Sequence, residues 1–465
     1  MKDSPEKRAV RFRREKKTGW IPAGIALFCF SLSFALILVY ASRSALPPEA
    51  PPLSPEEQAD FRLLLRNAGY DAEPLSALPY ETIPPELTLY ARSAILIDTA
   101  TGSVLFEKNA DEIIPPASMT KIAIMYVVFQ EIARGGVSLS DVVELPPESW
   151  AMNAPPGSSL MFLEPGHLVT LEELIRGLAV ASGNDAAVAV AYHISGSVEA
   201  FCRRMTAEMR KLGLQATTFV EPSGYSELNL TTVREFAAFA RIYLDRFPES
   251  LELFHSRESM VYPRGENIPG ETRSGAITGI SRTLYATNSL VRTLEGCDGL
   301  KTGYIDESGY NIALTARRGG TRFLSVTMGG PGRNSAEGTR YRNADGTALM
   351  EWAFASFYTA REIVPRRAPV RVWLGTNSAA ALVEPEAVRL TVPREFEGKL
   401  VCRLEVPEEL EAPVYAGQQY GLAVYEAEGN VVDTIPLVAD RTVEKGGALK
   451  VFMDTISRPF CPLFR

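Results

Sequence analysis

Three short elements of the 465-residue chain carry residue types that do chemistry together: Ser118-Met119-Thr120-Lys121, Ser182-Gly183-Asn184 and Lys301-Thr302-Gly303. A serine and a lysine three positions apart share one face of a helix, so the Ser118 hydroxyl and the Lys121 amine would meet. That pairing is a serine nucleophile with an amine base in place of an imidazole. Pro115-Pro116 would set Ser118 in the first helical turn, where backbone N–H groups are unpaired and the dipole is positive. A serine there can attack a carbonyl while its own N–H holds the developing oxyanion. Lys121 must be uncharged to act as base. Burial among Ile122, Ile124 and Met125, with a second cation nearby, would favour that state. The spelling alone decides nothing. Ser4-Pro5-Glu6-Lys7 and Lys17-Thr18-Gly19 repeat two of the elements in the N-terminal tail. An N-cap-like serine beside a snorkelling lysine also reads the same way.

Ser182-Gly183-Asn184 falls in a break between two apolar helical runs, residues 174–180 and 186–191. It is either a buried turn satisfying its own backbone or a polar tip in a site. In a site, Ser182 could relay a proton to a leaving amine and the Asn184 amide could bind a substrate carbonyl. Lys301-Thr302-Gly303 lies on a predicted strand. An edge strand pairs with an extended peptide through its backbone, and glycine permits close approach. Lys301 would supply a cation, and the Thr302 hydroxyl could bind a terminal carboxylate; a solvated strand lysine is the rival reading. Together, the three contexts of helix start, inter-helix turn and strand favour one site.

The elements that would position these residues are set by pattern. Residues 91–106 read as a hairpin with a turn over 99–102, and 117–134 as a helix closed by Gly135-Gly136. Thr170-Leu171-Glu172-Glu173 is a capping box starting a helix to about Ala181. Helices are predicted over 185–194, 197–212, 231–247 and 347–358, and strands over 301–305, 310–316 and 322–328. Strands at both ends with helices between predict an α+β domain, an antiparallel sheet covered by helices, over residues 86–362. Short strands separated by turns then predict a small all-β sandwich over 366–455, followed by a tail, 456–465.

Lys and Arg number 48 against 56 Asp and Glu, a formal charge of -8, and the basic residues concentrate in the N-terminal tail, 1–19. The acidic remainder excludes nucleic acid as an expected partner. Residues 20–41 form an uncharged apolar segment, which reads as a transmembrane anchor oriented by the basic tail or as a signal peptide cut after Val39-Tyr40-Ala41. Both readings export the chain beyond Ala41. Residues 42–85, opening proline-rich over 46–55, read as a stalk with a short helix begun by Ser54-Pro55-Glu56-Glu57, striped by Phe61, Leu64 and Leu65, and ended at Gly69; packing of that helix on the catalytic domain is the alternative. The five cysteines show no zinc spacing, and His167, His193 and His255 are scattered. No metal and no cofactor is expected.

Residues 86–455 resemble the serine-type D-Ala-D-Ala carboxypeptidases, the low-molecular-mass penicillin-binding proteins. Pro116-Ala117-Ser118-Met119-Thr120-Lys121-Ile122 resembles their nucleophile segment, Ser182-Gly183-Asn184-Asp185-Ala186 their second motif, and Asp298-Gly299-Leu300-Lys301-Thr302-Gly303-Tyr304 their third. Ala412-Pro413-Val414-Tyr415-Ala416-Gly417-Gln418 is similar to part of their second, β-rich domain. The resemblance implies the penicillin-binding, β-lactamase-like transpeptidase fold. It makes Ser118 the acylated nucleophile and Lys121 its base, with Ser182 and Asn184 catalytic and Lys301, Thr302 and Gly303 binding substrate. The backbone N–H groups of Ser118 and Tyr304 would form the oxyanion hole. Arg342, ten residues before Trp352, falls where the family has an arginine near the substrate carboxylate. Tyr304-Ile305 departs from the small or polar pair of some relatives, and the short, proline-broken C-terminus departs from their amphipathic tail helix. The implied partners are peptidoglycan stem peptides, β-lactams as covalent inhibitors, and the cell membrane through the N-terminal segment, with the catalytic domain outside the cytoplasm. The readings that share the motifs are a DD-endopeptidase, a β-lactamase and a non-catalytic wall-binding protein.

Overall fold

The structure is a computed structural model that describes residues 20–46, 48–67, 75–83, 85–268, 280–360, 367–385 and 388–464. The basic tail with its two decoy motifs, the helix stop at Gly69 and the junction around 362–366 lie outside the described residues.

The chain begins with a long apolar helix, α1 (Trp20–Ala45), then α2 (Pro55–Asn67). Ser54 and Glu57 cap α2 reciprocally, each backbone N–H donating to the other's side chain at 2.8 and 3.3 Å. Three strands come next, β1 (Ser76–Ala77), β2 (Ser93–Asp98) and β3 (Ser103–Lys108). The helical part comprises α3 (Lys121–Ala133), α4 (Leu171–Arg176), α5 (Asn184–Ser195), α6 (Val198–Lys211) and α7 (Val233–Arg246). The predicted capping box at Thr170 and Glu173 is formed. Then come β4 (Cys297–Ile305), β5 (Gly309–Arg318), β6 (Thr321–Gly330) and α8 (Ser335–Ser356).

These strands make one six-stranded sheet in the order β1-β3-β2-β6-β5-β4. Every pair is antiparallel except the two-residue β1, which joins β3 in parallel at the far edge. β4, with Lys301 opposite Ala313, is the other edge. Alternation along β2 serves two cores. Ile95 and Ile97 face the helical layer, where every residue from Lys121 to Phe129 of α3 is buried. Ala94 and Leu96 face α8 through Leu349, Met350 and Ala353. A helix buried on all sides is what the unbroken apolar run after Lys121 dictates.

Past β7 (Phe357–Thr359) the chain enters the expected all-β domain: β8 (Arg367–Trp373), β9 (Ala379–Val383), β10 (Thr391–Pro393), β11 (Val401–Glu405), β12 (Glu409–Glu411), β13 (Gln419–Ala427) and β14 (Asn430–Ala439). Six of them form a sheet in the order β11-β13-β14-β9-β8-β12, and β10 pairs with β7. The chain ends in α9 (Ala448–Ser457) and a 3-10 run, Arg458–Phe464.

Residues 42–85 do not stand off as a free stalk where they are described. Arg367 donates to the carbonyls of Ala50 and Pro51 at 2.9 and 2.8 Å. Leu65 is 5% exposed, and Leu64 and Leu65 cover Gly417 of the β domain. Of the stripe of α2, Leu65 is thus buried against the β domain while Leu64 touches it and stays partly exposed.

Asp98, at the end of β2, ties the two domains. Its buried carboxylate accepts from the Thr359 hydroxyl of β7 at 2.8 Å, the Thr391 hydroxyl of β10 at 2.9 Å and the Ala100 N–H at 2.9 Å. Asp98→Ala would leave buried donors without an acceptor and is expected to lower stability by about 2–3 kcal/mol, read as a shift of the urea midpoint, while native-state β-lactam labelling persists.

Candidate active site

Ser118 lies on a single 3-10 turn, Ala117–Thr120, which feeds into α3 at Lys121. The predicted helix thus begins one turn tighter than an α-helix. Ala117 takes φ +50°, a left-handed conformation that a side chain adopts only when its surroundings hold it. Two glycines hold it. A Cβ on Gly224 (φ +80°) would lie 1.9 Å from the Ala117 carbonyl oxygen, and one on Gly303 would lie 2.6 Å from that of Pro116.

Lys121 is fully buried. Its Nζ lies 2.9 Å from Ser118 Oγ, 2.8 Å from Asn184 Oδ1 and within hydrogen-bond reach of the Ser223 carbonyl. Burial lowers its pKa to about 7 against the opposing charges of Glu221 and Asp185. The dominant cause is therefore desolvation, the first of the two that the sequence suggests. An uncharged amine has two hydrogens and one lone pair. Two carbonyl oxygens accept the hydrogens, which turns the lone pair toward the Ser118 hydroxyl.

Lys301, on β4, is also fully buried and donates to Ser182 Oγ at 2.9 Å and to the Thr302 carbonyl at 3.0 Å. Burial first, then the charges of Lys121 and Arg342, drive its pKa well below the ordinary lysine value. Ser182 sits at φ +58°, after the helix widens over Gly177–Ala181. The Thr302 hydroxyl donates to Thr287 Oγ1 at 2.8 Å. Arg342, on α8, is buried, its Nε has no hydrogen-bond partner among the described residues, and burial lowers its pKa to about 10. Tyr304 stays half-exposed, its ring 4.3 Å from that of Tyr310 and its hydroxyl donating to Asp306. The four side chains of Ser118, Lys121, Ser182 and Asn184 thus meet Lys301 around one crevice. A cavity of about 320 Å³ opens over Ser118, Asn184, Tyr225 and Tyr304. Other cavities are larger; the two largest, about 530 and 600 Å³, are lined in part by Arg241 and Arg389 and hold none of these residues. Chemistry, not volume, selects the smaller one.

A family model described as D-alanyl-D-alanine carboxypeptidase matches residues 80–332, and one for the penicillin-binding protein 5 C-terminal domain matches 356–445. D-alanyl-D-alanine carboxypeptidase DacC of Escherichia coli is 34% identical over 80% of this chain and 88% of its own length. The chain belongs to the D-alanyl-D-alanine carboxypeptidase family. DacF of Bacillus subtilis is 32% identical, with 80% of this chain and 90% of its own covered. Penicillin binding protein 5 from Haemophilus influenzae superposes with a TM-score of 0.66 at 28% identity, covering 78% of this chain and all of its own.

Several residues that shape this site are given no role by the motif reading. Asp185, buried, accepts the N–H groups of Met161, Phe162 and Leu163 at 2.8, 2.7 and 3.0 Å, fixing the segment whose Ser159 carbonyl receives the Asn184 N–H. A Cβ on Gly183 would lie 2.7 Å from that carboxylate. The Ser223 carbonyl is aimed by a turn in which Glu221 accepts the Ser223 hydroxyl at 2.6 Å and Asn229 donates to the Glu221 carbonyl at 2.9 Å. Pro222-Ser223-Gly224 is a turn signal, the one sequence clue to that segment. His255, buried, reaches the Leu300 carbonyl at 3.3 Å and the Tyr243 hydroxyl at 2.9 Å behind β4, and burial lowers its pKa to about 4. It steadies the strand and faces no substrate.

A Lys121 that serves as base must be neutral, so on that reading second-order acylation by a β-lactam is expected to rise with pH through about 7 and level above it. Lys121→Arg, which keeps its proton, is expected to lower acylation by about 10³-fold, measured by stopped-flow labelling. Gly303→Val pushes the nucleophile turn away from β4 and is expected to depress acylation by about 10²-fold with overall folding retained, checked by circular dichroism alongside labelling.

Proposed function

We infer that the protein removes the terminal D-alanine from peptidoglycan stem pentapeptides through an acyl-enzyme on Ser118. The observation that carries this reading is the fully buried Lys121 amine, 2.9 Å from Ser118 Oγ with its remaining contacts on carbonyl oxygens. In the proposed cycle, Ser118 Oγ attacks the carbonyl between the two D-alanines and its proton passes to Lys121 Nζ. The N–H groups of Ser118 and Tyr304 hold the oxyanion. The proton reaches the leaving amine through Ser182, D-alanine departs, and water cleaves the ester with Lys121 again as base. Asn184 orients the peptide, which lies along β4 as an added strand, with Gly303 keeping the approach open.

The terminal carboxylate goes to Thr302, Lys301 and Arg342. Charge supports that placement. No carboxylate is in ion-pair contact with Lys301 or Arg342 among the described residues, and the pKa of each is lowered chiefly by burial. A site that strips cations of water without supplying an anion favours a substrate that brings one. β-Lactams, which carry a carboxylate beside a strained amide, fit the same subsite.

The proposal extends to the membrane. Ile25–Ala45 within α1 is 21 residues of mean hydropathy 2.3, long enough to cross a bilayer. The basic tail would hold its start in the cytoplasm and place the catalytic domain outside.

Incubation with a pentapeptide stem is expected to release free D-alanine, and a fluorescent penicillin to label the protein. Ser118→Ala should lose both by at least about 10³-fold while still folding. Full labelling of Ser118→Ala, or labelling of the parent without D-alanine release, would refute the assignment.

A further inference from the structure

The C-terminal segment contributes nothing to the catalytic crevice, yet it has a partner: the second half of α1. The rings of Phe34 and Phe460 meet edge-on with centroids 5.9 Å apart. The Cys461 thiol lies 3.5 Å from the Ala41 carbonyl oxygen. Ala41, Trp373 of β8 and Cys461 form a small core of their own, exposed by 0, 1 and 2%.

Asp454 stands beside that core with no exposure at all. Its carboxylate accepts from the Tyr40 hydroxyl of α1 at 2.7 Å, the Leu374 N–H of the β domain at 2.8 Å and Lys450 Nζ of its own helix at 2.6 Å. A buried carboxylate is tolerated when such donors surround it. One of the three is supplied by α1. Just beyond that helix, the Leu46 carbonyl accepts from Arg371, and Pro51 accepts from both Arg367 and Arg441.

These contacts bear on the bond Ala41–Ser42, where the sequence offers a leader-cleavage site. A leader peptide is dispensable to the folded protein and presents an extended, accessible backbone to its peptidase. Here Ala41 is helical, wholly buried and part of a core with residues some 330 and 420 positions away. Removing it would uncover Trp373 and leave Asp454 short of a donor.

We propose that the second half of α1 is a permanent structural part of the β domain, clasped by Ala448–Phe464, so that the helix is retained after export and the β domain is fixed against the membrane. The proposal rests on the anchor reading and adds the clasp to it. Leu449, Phe452 and Leu463 remain exposed on the clasp, as suits a segment held at a membrane surface.

The test uses the full-length chain in native membranes with Cys29→Ser and Ala41→Cys. Oxidation or a short bis-maleimide should link position 41 to the native Cys461, found as one cross-linked peptide by mass mapping and lost in the added Cys461→Ser. The intact mass should include the N-terminal residues, and penicillin labelling of Ser118 reports that each variant is folded. A mature chain starting at Ser42 would overturn both clasp and anchor. A retained helix in a penicillin-labelled chain that neither reagent links to Cys461 would overturn the clasp and leave the anchor standing.

Discussion

The architecture turns on keeping one amine out of water. A lysine is an ammonium in solvent, and it becomes a base near neutral pH only if the folded chain makes its charged form expensive. Lys121 meets that condition because α3 has no exposed face around it and because the adjoining nucleophile turn and two distant groups close over its end: Asn184 at the start of α5 and the Ser223 carbonyl. Two acids near enough to oppose this, Glu221 and Asp185, are occupied with other donors. Glu221 holds its own turn and Asp185 gathers the N–H groups of 161–163. Their charge is therefore spent locally, and desolvation prevails.

A second constraint arises from the first. Closing those segments over Lys121 forces backbones together at distances a side chain would forbid, and glycines stand at the crossings: Gly303 against Pro116, Gly224 against Ala117, Gly183 against Met161. The same crowding holds Ala117 and Ser182 left-handed. Strain of this kind persists when the surroundings over-determine it, and it is concentrated here around the reacting hydroxyl. The sheet contributes the complementary feature. β4 is an edge, so its outer backbone groups remain available for an extended peptide.

Legibility in the sequence divides along the same line. Elements set by local patterns are readable: the capping boxes at Ser54 and Thr170, the apolar run of α3, the strands β5 and β6 across Arg318-Gly319-Gly320. So are motif residues that act through side chains at fixed spacing. The sequence pattern starts α8 near Thr347, whereas the helix begins at Ser335. Asn343, Asp345 and Gly346 look like turn residues, but Gly346 is there because a Cβ would lie 2.9 Å from Leu314, and Asp345 because it caps Tyr90 and Ala91. Tertiary packing overrides local propensity. Ser223, Asp185 and His255 are invisible as site residues for a related reason. Ser223 contributes a carbonyl, Asp185 and His255 bind backbone, and such roles leave no spacing to read.

The path of the chain out of the apolar helix gives the β domain a mechanical meaning. After α1 the chain is held by Arg367 and Arg441, lays Leu65 of α2 on the β domain, and passes Tyr80, whose hydroxyl donates to the Thr391 carbonyl at 2.8 Å. Between α2 and Tyr80 it adds β1 to the edge of the catalytic sheet opposite β4. Among the described residues of this stretch, Leu65 and the Tyr80 hydroxyl bring the chain onto the β domain. Asp98 then locks the sheet to β7 and β10 from the other side. The edge that carries Lys301 and Gly303 is thereby the one opposite β1, where the N-terminal segment joins the sheet.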